Sequence, residues 1–145
     1  MTKKIETLDK DDISFSYRSS SNLENKVIIS ATLIGTEGDP ALIKSRLKEN
    51  IKYRKDTQPS AIYNAGSFFK NTDQYSAGEL IDTAWLKGFS IDGVKVSTKH
   101  ANFFVASKGA NSSSLYKLVN HVKEVVDSKF GVSLQKEILF VGKFD

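Results

Sequence analysis

Three polar residues stand in local contexts where acid–base or anion chemistry is conceivable. Ser67 follows Gly66 at a tight turn, Arg18 ends a short strand in a serine-rich turn, and Glu137 interrupts an otherwise apolar run. Each also has an ordinary structural interpretation. A turn serine can satisfy its own backbone, an arginine at a strand end is solvated, and a glutamate can face outward from an edge strand. Taken one at a time, the three residues favour these structural interpretations.

Familiar kinds of catalytic and metal site are absent from the sequence. The chain has no cysteine, which excludes disulfides, thiolate zinc sites and cysteine nucleophiles. The two histidines, His100 and His121, lack the neighbouring ligands of a metal motif, and we expect His121 to be a surface residue of a helix. Neither a phosphate-binding loop nor a dinucleotide fingerprint is present. No generic motif identifies the chemistry.

Charge and length limit the class of partner. The 145 residues have a net charge of +4, which would suit nucleic acid or a small anionic ligand. The excess is spread evenly along the chain, whereas nucleic-acid binders usually concentrate it on one face. No apolar run approaches the roughly 18 residues that span a bilayer, and the N-terminus lacks the apolar stretch of a secretory signal. We therefore expect a cytoplasmic protein that binds neither nucleic acid nor membrane.

Strands and helices alternate loosely along the chain, with hairpin-length connections, which indicates an α+β fold. Period-2 alternation and β-branched residues predict strands over 13–17, 26–34, 91–96 with a turn at Asp92-Gly93, 102–106, and 132–141 with an interruption at 135–137. Caps and apolar spacing predict three helices: from Asp39-Pro40 to about Arg54, from a Ser76–Glu79 capping box to a stop at Gly88, and over about 114–129 with a stop at Gly131.

Six short motifs carry a resemblance that no single residue does. In chain order they read FSYRSS, NAGSFFKN, SAGELI, LKG, VSTKHANF and LQKEILFVG. This series resembles the UDP-N-acetylenolpyruvoylglucosamine reductases, flavoenzymes also called UDP-N-acetylmuramate dehydrogenases, over nearly the whole chain. Family members are roughly twice this long, and their additional half precedes Met1. The resemblance implies that residues 1–58 are the C-terminal remnant of the flavin-binding domain and residues 59–145 a small α+β substrate-binding domain.

The resemblance implies a reaction and a set of site residues. The reaction is the NADPH- and FAD-dependent reduction of UDP-N-acetylglucosamine enolpyruvate to UDP-N-acetylmuramate for peptidoglycan synthesis. Arg18 would stabilise the enolate that develops, Ser67 would donate the proton, and Glu137 would assist if protonated or paired with Arg18. The residues implied to bind the UDP-sugar are Asn71, Lys87 and His100, whereas Phe68 and Phe69 are expected in the core.

The missing half would hold most FAD contacts, so we expect the chain alone neither to retain FAD nor to oxidise NADPH. A separate flavin-binding chain is the partner that this implies. The alternatives are a non-catalytic UDP-sugar-binding module and, disfavoured by the even charge, a nucleic-acid-binding domain. Trp85 and Asp92 stand where the family usually has glycine, and a tryptophan in a packed helix would require repacking.

Overall fold

The α+β prediction is confirmed by the computed structural model, which describes residues 4–60 and 63–144. Contacts divide the chain into two compact units, one up to Gly38 and one from Asp39. The elements of the described residues are a 3-10 helix (Lys10–Asp12), β1 (Phe15–Ser16), β2 (Ser19–Ser20), α1 (Pro40–Thr57), β3 (Asn64–Ser67), α2 (Ala77–Thr83), β4 (Ser90–Ile91), β5 (Val94–Val96), β6 (Phe103–Ala106) and α3 (Ser112–Phe130). Within these ranges no helix is both long and apolar enough to cross a membrane.

The first unit contains a short antiparallel hairpin. Strands β1 and β2 pair Phe15 with Ser20 and Ser16 with Ser19, so the strand predicted over 13–17 is shorter than expected. Tyr17 lies in the two-residue turn beside Arg18, whose φ is +55°. An arginine in this left-handed region is uncommon.

The prediction of a strand over 26–34 is wrong, because these residues form no strand. Their apolar side chains are left in solvent, with Val27 89%, Leu33 90% and Ile34 99% exposed. A β-branched run gives a segment the propensity for extended backbone. A strand also needs a partner whose N–H and C=O groups complete the ladder. No described strand supplies one here.

Helix α1 begins as predicted, and Asp39 is its N-cap. The Asp39 carboxylate accepts a hydrogen bond from the Ala41 N–H at 2.8 Å, and proline at the first position needs no hydrogen-bond partner for its nitrogen. The helix continues to Thr57, past the predicted end at Arg54. None of its residues is buried, and its apolar stripe is more than half exposed: Ile43, Leu47 and Ile51.

The second unit is built on a four-stranded antiparallel sheet in the order β3-β6-β5-β4. The predicted hairpin at 91–96 is confirmed, with β4 and β5 joined through Asp92-Gly93. Both turn residues have positive φ, +42° at Asp92 and +84° at Gly93. Such angles suit glycine better than aspartate.

Helix α3 covers one face of the sheet. It ends at the predicted glycine stop, and it begins at Ser112, two residues before the predicted start. Asn111 Oδ1 accepts the N–H of Ser114 at 2.7 Å, and Gly131 closes the helix in the left-handed conformation with φ of +66°. The buried apolar face of α3 consists of Leu118, Val119, Val122 and Val126. Each such side chain contributes about 1.5–3 kcal/mol when fully removed from water.

Phe68, Phe69 and Phe104 fill the core beside these residues, as expected for the first two. Each is only 1% exposed, and the Phe68 and Phe104 rings stack with centroids 4.5 Å apart. His121 differs from the prediction of a surface residue, because it is half-buried and stacks on Phe89 at 4.5 Å.

Helix α2 is shorter than predicted, since it ends at Thr83 rather than near Gly88. The expected capping box is also wrong. Ser76 occupies the N-cap position without a side-chain cap hydrogen bond. The first N–H of the helix, that of Ala77, is accepted by the Asn71 amide oxygen at 3.0 Å.

Trp85 lies just beyond α2 and is 88% exposed. The expected repacking of a tryptophan inside a packed helix therefore does not arise. Its φ of +63° is a backbone conformation that favours glycine. The departure from the family pattern is a matter of backbone conformation and not of volume.

Candidate active site

Ser67 lies at the end of β3, where a bulge sets its position. Asn64 pairs with Val105 and Ser67 with Phe103, and the register shifts by one residue between these pairs. The bulge contains Gly66, whose φ is +80° and whose N–H donates to the Asn64 side chain at 3.0 Å. Because side chains alternate across a strand, a one-residue shift decides which face Ser67 occupies. Ser67 is half-buried.

The segment that carries Glu137 is hydrogen-bonded to the residues that follow Ser67. The Glu137 N–H donates to the carbonyl of Phe68 at 2.8 Å, and the Lys70 N–H donates to Gln135 at 2.8 Å. These bonds flank an isolated bridge between Phe69 and Lys136. The predicted strand over 132–141 is therefore reduced to a single bridge.

Glu137 is half-buried, and its Oε2 atom is fully inaccessible to solvent. A glutamate on the outward face of an edge strand, the structural interpretation of this residue, does not describe it. Lys136 anchors the same segment, with its ammonium 5.4 Å from the Tyr116 ring centroid and 5.1 Å from that of Phe140. The segment is held by side-chain contacts where a β ladder is lacking.

A second group of predicted residues shares one open cleft within the second unit. Lys87 and His100 line a cleft of about 570 Å³ together with Lys99 and Trp85. The Lys87 ammonium is paired with the Asp82 carboxylate. Cationic and N–H groups facing one cleft can bind an anion such as a diphosphate.

His100 is held in its neutral form at the edge of this cleft. Burial lowers the pKa of His100, and the positive charge of Lys87 lowers it further. Its Nδ1 accepts the N–H of Asn102 at 3.2 Å, so the remaining proton of the neutral ring is on Nε2. The ring also packs on Phe103, with centroids 4.8 Å apart.

The other two predicted residues lie elsewhere. Asn71 is exposed and caps α2 through the hydrogen bond to Ala77. Arg18 lies in the β1–β2 turn of the first unit, with its guanidinium carbon 5.5 Å from the Tyr17 ring centroid. The structure thus joins the backbone segments that carry Ser67 and Glu137, and separately places Lys87 and His100 at one cleft.

Sequence reasoning missed Asn102, which is 4% exposed and bonded to both segments that carry predicted site residues. The only signal was its place in the VSTKHANF motif, to which no role was attached.

The cleft that contains Lys87 and His100 does not fit a flavin ring. It is open to solvent and is lined by charged side chains, whereas ligands of that size usually bind in enclosed and largely apolar pockets. Among the residues that the structure describes there is also no cluster of three potential metal ligands.

Comparisons with known proteins agree with one another. The family profile described as UDP-N-acetylenolpyruvoylglucosamine reductase, C-terminal domain, matches residues 58–141. The reductase of Anoxybacillus flavithermus is 39% identical over 96% of this chain and 47% of its own length. The reductase of Anaplasma marginale is 40% identical over 96% of this chain and 46% of its own length.

A solved structure is similar as well. The crystal structure of UDP-N-acetylenolpyruvylglucosamine reductase (MurB) from Thermus caldophilus matches with a TM-score of 0.76 and 31% identity, over 88% of this chain and 45% of that one. The chain spans about half the length of the relatives it matches.

Proposed function

The chain belongs to the UDP-N-acetylenolpyruvoylglucosamine reductase family, and we propose that it supplies the substrate-binding and proton-donating part of such an enzyme. The proposed reaction is the NADPH- and FAD-dependent reduction of UDP-N-acetylglucosamine enolpyruvate to UDP-N-acetylmuramate in peptidoglycan synthesis. FAD provides the hydride when it is bound. We assign its binding to a separate flavin-binding chain, because this chain spans about half the length of its relatives.

The observation that supports this proposal is that the segments carrying Ser67 and Glu137, about seventy residues apart in sequence, are hydrogen-bonded to each other. The Glu137 N–H donates to the carbonyl of Phe68, the residue after Ser67. A hydroxyl or a carboxyl group that faces the substrate can donate a proton to a basic carbon. Family membership makes the enolate of the substrate the acceptor that we propose.

In this role Ser67 donates its hydroxyl proton to the carboxylated carbon of the enolate, and a proton from solvent then restores the hydroxyl. Glu137 assists only in its protonated form or with a cationic partner, because a bare carboxylate beside an enolate is repulsive. The guanidinium of Arg18 is proposed to stabilise the enolate charge. These three residues form the proposed catalytic group.

The UDP-sugar is proposed to bind through Lys87, His100 and Asn71. The cleft shared by Lys87 and His100 supports this for the diphosphate, because it offers an ammonium group and the Nε2–H of a neutral imidazole. The family-profile match from residue 58 supports our division into a flavin-domain remnant, 1–58, and a substrate-binding domain, 59–145.

The experiment combines the full chain with the N-terminal, flavin-containing half of the Anoxybacillus flavithermus relative and measures substrate-dependent NADPH oxidation. The proposal expects turnover by the mixture and none by either part alone. Ser67→Ala should abolish turnover while leaving substrate affinity unchanged, and Ser90→Ala, at an exposed serine of β4, is the matched control.

Substrate binding with no turnover in any mixture would instead identify a non-catalytic UDP-sugar-binding module. That alternative is favoured by one observation, since the cleft with Lys87 and His100 lies wholly in the second unit. Absence of binding by isothermal titration would contradict both functions.

A further inference from the structure

Asn102 makes four hydrogen bonds, three to the segment that follows Ser67 and one to His100. Its side-chain Nδ2 donates to the Phe69 carbonyl at 2.8 Å, and its Oδ1 accepts the Phe69 N–H at 3.0 Å. Its own carbonyl accepts the Phe68 N–H at 3.0 Å. The side chain therefore pairs with the backbone of Phe69 as a strand residue would, immediately after Ser67.

The backbone N–H of the same residue donates to Nδ1 of His100 at 3.2 Å. This bond selects the tautomer with the proton on Nε2, because Nδ1 must carry a lone pair to accept it. One buried residue thus bonds both to the segment that follows Ser67 and to the imidazole at the cleft.

We propose that Asn102 is a positioning residue that holds the Ser67–Phe69 segment and the His100 imidazole in one fixed arrangement. The inference rests on the proposed function only in that Ser67 and His100 are taken to act on the same substrate. Asn102 itself does not line the cleft and reaches it only through His100.

No other side chain of similar size can make the two bonds to the Phe69 backbone. An amide offers both a donor and an acceptor, whereas a carboxylate offers only acceptors. Asn102→Asp would set a carboxylate oxygen against the Phe69 carbonyl. Asn102→Ala would leave the N–H and C=O of Phe69 buried without these partners, and unsatisfied buried groups are costly.

The test uses the full chain labelled with ¹⁵N, as wild type and with Asn102→Ala or Asn102→Asp. The matched control is Asn111→Ala, which removes the N-cap of α3 and lowers stability without touching either segment. All four proteins are compared well below their unfolding temperatures. The readouts are hydrogen exchange of the Phe69 amide, the tautomer of His100 from its ring-nitrogen spectrum, and affinity for UDP-N-acetylglucosamine enolpyruvate.

Wild type and Asn111→Ala should show His100 as the Nε2–H tautomer. In Asn102→Ala the Phe69 amide should exchange about tenfold faster, and affinity should fall about tenfold. Alanine keeps the backbone N–H that bonds to His100, so mixed His100 tautomers are expected because this N–H shifts when the two side-chain bonds to Phe69 are lost. Asn102→Asp keeps the acceptor for the Phe69 N–H, so it should change the His100 spectrum with a smaller change in exchange. It also keeps the test decisive if the alanine variant does not fold.

An unchanged His100 tautomer in both Asn102 variants would overturn the inference, even if the Phe69 amide responds, because Asn102 would then not link the two. Equal changes in Asn111→Ala would overturn it too, by showing an effect of stability alone. If the wild-type chain binds no substrate, the proposed function fails, while the exchange rates and the His100 spectra still decide the role of Asn102.

Discussion

At the scale of single residues, the imidazole of His100 is the group whose surroundings define its charge most clearly. Burial and the nearby Lys87 lower its pKa. The neutral ring donates from Nε2 and accepts at Nδ1, so it can fix one tautomer while presenting an N–H to an anion. We expect this state to prevail at neutral pH.

Replacing Lys87 with glutamine should raise the pKa of His100, because it removes the second of the two causes that lower it. Burial, the larger cause, remains, so the pKa should stay below that of a free histidine. A pH titration of the His100 ring by NMR measures this. Lys95→Gln, at an exposed residue of β5, is the control and should leave the pKa unchanged.

The lowered pKa of His100 determines how the stability of the chain depends on pH. The folded chain favours neutral His100, so the unfolded chain binds more protons between the two pKa values. The free energy of unfolding should therefore fall as the pH is lowered from about 6.5 through the pKa of the folded state. A His100→Gln variant should lose that part of the pH dependence.

Trp85 is a second residue whose effect is local. It is exposed and has a left-handed backbone, which costs an ordinary residue about 1–2 kcal/mol. Trp85→Gly should therefore raise the free energy of unfolding by about 0.5–1 kcal/mol after the greater flexibility of glycine in the unfolded chain is deducted. Trp85→Ala keeps the Cβ and should show no such gain in denaturant unfolding. A loss on Trp85→Gly would mean that the indole packs more strongly than its exposure indicates.

At the scale of elements, the bulge in β3 is the feature that positions Ser67. It depends on Gly66, where an added Cβ would meet nothing within 4 Å. This position therefore favours glycine because of its φ of +80°, and not because a larger side chain would lack space.

Gly66→Ala should lower the free energy of unfolding by about 1–2 kcal/mol, because alanine is strained in this backbone region. Gly35→Ala is a matched control, since Gly35 also has open space around it but no positive φ. It should be neutral or slightly stabilising, because alanine restricts the unfolded chain. Chemical denaturation of the two variants measures the difference. Equal effects at both positions would mean that the bulge relaxes freely.

At the scale of the whole chain, the exposed apolar side chains are its most unusual property. Segment 26–34 in the first unit and helix α1 in the second each leave several aliphatic side chains in solvent. Exposed apolar patches of this kind usually mark a surface that another polypeptide covers. With a length about half that of its relatives, this supports the proposed flavin-binding partner.

A charge on the exposed stripe of α1 should separate folding from association. Leu47 is 57% exposed, so Leu47→Glu should change the free energy of unfolding of this chain by less than about 0.5 kcal/mol. It should abolish binding to the N-terminal half of a relative, the half proposed to hold the flavin, measured by size-exclusion chromatography and by flavin retention. Lys48→Glu, also exposed on α1, should leave binding intact. Undiminished binding by Leu47→Glu would place the contact elsewhere.

Features with a local cause were predictable from the sequence. The Asp39-Pro40 start of α1, the hairpin through Asp92-Gly93 and the glycine stop of α3 each depend on residues a few positions apart. The apolar spacing of α3 likewise predicted its buried face. The ordered motifs pointed to the family that the comparisons then showed.

Features that depend on distant residues were decided by the tertiary structure. Segment 26–34 has the propensity of a strand but no described partner, and 132–141 pairs with Phe69 through a single bridge. The contact of Glu137 with Phe68 and the bonds of Asn102 to Phe69 join residues dozens of positions apart. Local sequence determines which backbone and side-chain groups need partners, but only folding determines which distant groups come within hydrogen-bonding distance of them.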